Sequence, residues 1–134
     1  MNTTQKDDLA KLFLRVVVGG LMLFHGMHKI VHGYGHVGGM LNQAGLPEFI
    51  QHGVLVGEIL APLLLIIGYK TRYSAILIIF TMLVAVGLAY HEKIFTLNQY
   101  GGWMIELHVF FIVSSLAIIL LGAGKYALES SGVK

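Results

Sequence analysis

No cysteine occurs anywhere in the 134 residues. A chain without a thiol forms no persulfide, exchanges no disulfide and holds neither an iron–sulfur cluster nor a c-type haem, so any thiol step belongs to a partner. Charge is scarce as well: charged residues make up 12% of the chain against 56% hydrophobic. A soluble domain of this length does not carry that balance, and a membrane protein does. The small net charge of +2 is not concentrated in a patch, which argues against nucleic acid as a partner.

What is present is long apolar runs. Four stretches approach the roughly 20 residues that cross a hydrocarbon layer: about 9–31, 52–69, 73–90 and 103–124. They use most of the chain and leave no room for a soluble catalytic domain. Runs such as Leu63-Leu64-Leu65-Ile66-Ile67 and Ile76-Leu77-Ile78-Ile79-Phe80 are apolar at every position, so they lack the alternation of a β-barrel strand, and an open backbone in lipid is satisfied only by helix. The expected fold is all-α: an integral membrane four-helix bundle in one domain, 1–134. The start Met1-Asn2-Thr3-Thr4-Gln5-Lys6-Asp7-Asp8 mixes acids with its bases and no small-residue cleavage site follows. The first run therefore reads as a retained helix and not a signal peptide.

With four spans, the tails and the turn at Lys70-Thr71-Arg72 share one side. That side holds Lys6, Lys11, Arg15, Lys70, Arg72, Lys125 and Lys134, and the other holds only Lys29 and Lys93. Seven bases against two put both termini in the cytoplasm, which in a bacterium means the inner membrane with the long first loop outside.

Ionisable residues then fall at one depth. His25, Glu58, Glu106 and His108 lie about 5–10 Å below the outer boundary at 1.5 Å per residue, with His28 and Lys29 nearby on the first helix. Such groups normally face the bundle interior and pair, so Lys29 is expected to meet Glu58 or Glu106. His25, Lys29, His32 and His36 follow at steps of four, three and four, with His28 beside them, and would form one stripe until Gly33, Gly35, Gly38 and Gly39 end the helix. Glu106 and His108 are about 200° apart around their helix, so both cannot face inward equally, and Glu106 is the favoured member. The inner half is expected to be apolar apart from Ser74, Ser114 and Ser115.

Each of these residues also has a plainer role. Lys29 with a glutamate is a structural ion pair. His25 and His28 are satisfied donors near the interface, and His32, His36, His52 and His91 are solvated boundary groups. Gly19, Gly20 and Gly26 are close-packing positions. Trp103, Tyr90, Tyr100 and Tyr126 are interfacial anchors. Pro62 marks a kink that frees a backbone carbonyl near Glu58.

Several segments together resemble one family. Arg15 followed by Gly19, then Phe24-His25-Gly26-Met27-His28-Lys29, resembles the first-helix signature of the DoxX family of small four-helix membrane proteins. Gly57-Glu58-Ile59-Leu60 and Leu64-Leu65-Ile66-Ile67-Gly68-Tyr69-Lys70-Thr71-Arg72-Tyr73-Ser74-Ala75 resemble its second helix and basic turn. Gly101-Gly102-Trp103-Met104-Ile105-Glu106-Leu107 resembles the start of its fourth helix, and Gly122-Ala123-Gly124-Lys125-Tyr126-Ala127-Leu128-Glu129 its ending, with Ala127 and Glu129 where Ser and Asp are usual. The specificity lies in the ordered set. The resemblance implies a small membrane subunit linked to respiratory or sulfur redox chemistry, working with a soluble or membrane redox partner protein.

Three functional classes follow. In the first, the outer pocket binds a quinone: His25, His28, His108 or Lys29 donates to a quinone oxygen, while Glu58 or Glu106 relays the proton that accompanies each electron. In the second, the chain is a non-enzymatic anchor or assembly partner in the lipid bilayer. In the third, imidazoles hold a metal or b-type haem, with His25 and His108 the best haem pair. No inverted repeat is visible, which argues against a transporter within one chain; homo-oligomerisation would reopen that reading.

Overall fold

The computed structural model describes residues 1–129; Lys134, counted above among the cytoplasmic-side bases, lies outside them. The described residues form five helices and no strand beyond an isolated Leu97–Trp103 bridge. Helix α1 (Thr3–His32) begins well before Leu9 because Asn2 and Gln5 form a reciprocal capping box, each side chain accepting from the other's backbone N–H at 2.9 Å. Gly33, at φ 85°, ends it. The outer loop is not wholly irregular: it carries a short helix, α2 (Gly35–Gln43).

Helix α3 (Glu48–Ile67) is a composite. It opens as a 3₁₀ turn at Glu48–His52, passes through a π turn at Val56–Leu60 and runs as regular helix over Ala61–Ile67. Pro62 accounts for the π turn: it has no N–H for the Glu58 carbonyl, and just before it Ala61 donates five residues back, to Val56. The expected disturbance at Pro62 is thus a register shift around Glu58. Gly68, in the left-handed region at φ 76°, closes α3, with the Gly68 and Tyr69 N–H groups both reaching the Leu64 carbonyl. Helix α4 (Thr71–Ala89) follows at once.

Helix α5 (Glu106–Leu121) is shorter at both ends than the expected 103–124. Asn98 holds the preceding loop closed by accepting from the N–H groups of Tyr100 and Gly102 at 2.9 and 3.0 Å, which keeps residues 103–105 out of the helix. At the other end Gly122 and Gly124 take φ 82° and 84°. Its 16 residues span about 24 Å. Helices α1, α3 and α4 are long and apolar enough to cross a membrane, and α5 is a shorter apolar helix beside them.

All four share one core, built from Met22 of α1, Ala61 and Leu65 of α3, Ala75 and Ile78 of α4, and Phe111 and Ile118 of α5. Their outward faces are as apolar as their inward ones: Phe24, Phe80, Phe110 and Leu120 are 63–82% exposed. Helices apolar all round belong in lipid, and this is an integral membrane protein. Close approach depends on small residues. A Cβ on Gly19 would lie 2.8 Å from the Pro62 carbonyl oxygen, one on Gly26 would strike the Glu58 carbonyl, and one on Gly57 would strike Thr81. Gly20 is different from the expected packing position: it faces open space.

Candidate functional site: the buried Lys29–Glu58 pair

The molecule has two polar ends. All seven histidines lie toward one, which we call the histidine end, and Lys6, Lys11, Lys70, Arg72 and Lys125 toward the other, the basic end.

At the histidine end, Glu58 sits within the π turn and is 3% exposed. Its carboxylate accepts from Lys29 Nζ at 2.5 Å, and the lysine side chain is 26% exposed. The pair joins α1 to α3 beside the Gly26–Glu58 backbone contact, so the small residue and the π turn together bring the two groups within reach. Of the two glutamates considered for Lys29, the structure uses Glu58.

Helix α5 reverses the expected preference between Glu106 and His108. Glu106 is exposed at the first residue of the helix and accepts from Asn98 Nδ2 at 3.2 Å. Because the helix starts at Glu106 and not at Trp103, this carboxylate caps the loop and does not enter the interior. His108, about 200° round the helix, turns inward: its Nδ1 is buried without a protein partner, and its ring lies 5.0 Å from that of Tyr90. Tyr90, expected as an interfacial anchor, is a wall of the His108 site. His108 is within electrostatic reach of His25, Lys29 and Glu58.

The histidine stripe splits. His25 packs edge-on against Phe111 of α5, ring centroids 6.0 Å apart. His28 is exposed and stacks on His32 at 4.2 Å, and it makes no hydrogen bond or ion pair with Glu58, whose side-chain partner is Lys29. His36 is exposed beyond the helix break, His52 pairs with the Tyr34 hydroxyl at 3.0 Å, and His91 lies 3.7 Å from Glu92 in an exposed loop. These last are boundary groups, as expected. Among the described residues no three His, Cys, Asp or Glu side chains come together as a metal site. The two imidazoles considered as a haem pair differ in setting: His25 is exposed and edge-on to Phe111, and His108 is half-buried against Tyr90.

The basic end departs from the apolar inner half expected. Arg15 is wholly buried. Its Nη1 donates to the Leu65 and Ile66 carbonyls at 3.1 Å each, and Nη2 donates to the Tyr126 carbonyl. The segment after α5 folds back beneath it: Leu128 N–H reaches the Ile67 carbonyl, Glu129 N–H the Gly68 carbonyl, both at 3.0 Å, and the Glu129 carboxylate accepts from Thr71 N–H at 2.8 Å. Ser74, Ser114 and Ser115 are buried there as expected. Sequence reading treated Arg15 as a boundary charge; the signal that could have placed it inside is its setting between Leu14 and Val16, close to the small residue Gly19 that lets α3 approach.

No curated protein and no solved structure matches this chain. The family model for DoxX matches residues 10–92, which takes in Arg15, the His25–Lys29 segment, Glu58 and the basic turn, and stops short of α5. The two C-terminal resemblances, at 101–107 and 122–129, lie beyond the matched stretch. With more than half of its residues covered, including both members of the buried ion pair, the chain belongs to the DoxX family.

Proposed function

We propose that this protein is a membrane subunit that binds a quinone at the Lys29–Glu58 pair, in the outer half of a four-span bundle whose termini face the cytoplasm. In a bacterial cell the membrane would be the inner one. One observation carries the reading: a carboxylate 3% exposed, held at 2.5 Å by a lysine, with an unpartnered buried imidazole nitrogen close by. An ionisable group buried inside a membrane segment is by default a candidate functional site, with its partner named. A bound quinone supplies two-electron, two-proton chemistry. In this chain Lys29 Nζ and His108 Nδ1 would donate to the carbonyl oxygens, the His25 ring would border the site, and Glu58 would take up and release the proton. Electrons would come from a redox partner protein, since the chain has no thiol.

The test is solvent extraction and mass spectrometry of protein purified in mild detergent, quantifying quinone per chain for wild type and Glu58→Gln. Near-stoichiometric quinone that falls in the variant is the expected result; none in either protein would sink the reading. A second reading, a non-enzymatic anchor or assembly partner, is favoured by the position of the pair against Gly26, where it could serve only to fix α1 on α3. In that case Glu58→Gln would weaken the fold and leave partner-dependent turnover unchanged.

A further inference from the structure

The basic end carries more cations than acids: Asp7, Asp8 and Glu129 are its carboxylates, and the Asp8 carboxylate accepts from the Lys125 backbone N–H at 3.3 Å. Lys6, Lys11, Lys70, Arg72 and Lys125 form no ion pair among the described residues, and the acid nearest the α3–α4 turn, Glu129, is occupied by the Thr71 N–H. Arg72 is distinct because its guanidinium is already positioned. Nε donates to the Ile119 carbonyl at 2.8 Å, on the last turns of α5, and Nη2 lies beside Gly122, 3.2 Å from where a Cβ would stand. The side chain therefore bridges α4 and α5 and leaves its two Nη groups without an acceptor among the described residues. A planar fork held in this way suits two oxygens of one phosphate.

Apolar rows lead away from this cation on both helices. Ile76 and Phe80 follow Arg72 at steps of four, on the same ridge of α4, and are 50% and 63% exposed. Leu116 and Leu120, on the outward face of α5, are 48% and 82% exposed. Lys70, exposed in the left-handed region at φ 49°, stands two residues before Arg72 with its ammonium 5.8 Å from the Tyr69 ring.

We propose that Arg72 and Lys70 form a binding site for an anionic phospholipid, its phosphate on the Arg72 guanidinium and its acyl chains along the exposed rows of α4 and α5. A free phosphate would use the cations and leave the apolar rows unused. A zwitterionic lipid would bring its own cation against Lys70. An anionic two-chain lipid matches both features, and the site stands apart from the Lys29–Glu58 pair at the opposite end.

The test uses the full chain in mild detergent, with native mass spectrometry after adding dioleoylphosphatidylglycerol or dioleoylphosphatidylcholine at equal concentration. Wild type should retain the glycerol lipid about tenfold better. Arg72→Gln should bring retention to the choline level, Lys70→Gln should lower it about threefold, and Lys93→Gln at the far end should leave it unchanged. Equal retention of the two lipids by wild type overturns the proposal, as does displacement of the lipid by inorganic phosphate at the same concentration. If Arg72→Gln loses helical circular dichroism, Lys70→Gln decides, because that side chain is exposed and makes no hydrogen bond: a fall supports the site and no change overturns it.

Discussion

Lys29 and Arg15 are both cations on α1, roughly 21 Å apart along its axis, and both are turned toward α3. Lys29 meets a carboxylate, with its own side chain 26% exposed. Arg15 is fully buried and meets three backbone carbonyls, two of them at the C-terminal turn of α3, where the helix dipole is negative. The difference is between a pair of ionisable side chains and a cation held by backbone alone. A lysine–glutamate pair contains two groups that exchange protons, and its strength depends on local polarity. A guanidinium does not deprotonate in a protein, and carbonyl partners fix its geometry without adding a titratable site. On the quinone reading proposed above, the Lys29–Glu58 pair is the part that responds and Arg15 the part that holds.

Breaking the scaffold side should have the largest effect. Arg15→Ala removes three hydrogen bonds, leaves buried carbonyls unpaired and opens a cavity, so we expect a loss of about 3–5 kcal/mol in detergent unfolding. Limited proteolysis should then cut the segment around Lys125, which loses its link through Tyr126. Next is the responsive side. Lys29→Met strands Glu58 and should cost about 2–3 kcal/mol, less than a fully buried pair because the lysine is partly exposed. Replacing both, Lys29→Met with Glu58→Met, should recover most of that; a double variant as unstable as the single one would mean the residues act through other contacts.

Smaller effects sharpen the same contrast. Gly26→Ala forces a methyl onto the Glu58 carbonyl and should destabilise by about 1–3 kcal/mol, whereas Gly20→Ala, facing open space, should stay within about 0.5 kcal/mol of wild type. Glu129→Ala removes a cap from the start of α4, worth about 1 kcal/mol, readable as a lower thermal midpoint. Glu106→Gln should be the mildest of all, within about 0.5 kcal/mol and without effect on quinone retention, because its carboxylate faces the loop. A large effect of Glu106→Gln on bound quinone would return Glu106 to the site.

Much of the helical layout was legible. Unbroken apolar runs reported the spans and Gly33 the end of the first, whereas Gly68 and Gly122, both at positive φ, end α3 and α5 short of the expected limits at 69 and 124. The extension of α1 to Thr3 was less visible: Asn2 and Gln5 sit three apart as a capping box should, but in a polar stretch that reads as tail. The site was partly legible. Lys29 and Glu58 stand out as rare charges in apolar sequence, and burial in lipid obliges them to pair. Which glutamate takes Lys29 depends on the π turn at Pro62 and the approach at Gly26, and neither has an energy that can be compared with the Glu106 alternative from residue types alone.

The sequence by itself determined that this chain lies in a membrane, that its secondary structure is helical, and that its histidines collect toward one end and most of its lysines and arginines toward the other, because hydrocarbon penalises charge between them. Only the tertiary structure decided that Glu58 and not Glu106 holds Lys29, that His108 turns inward against Tyr90, and that Arg15 is an internal brace for the chain's return across the α3–α4 turn. Those outcomes depend on helix rotation and on one-residue shifts of register. At about 100° per residue, such a shift changes which side chain faces in while leaving composition and hydropathy the same.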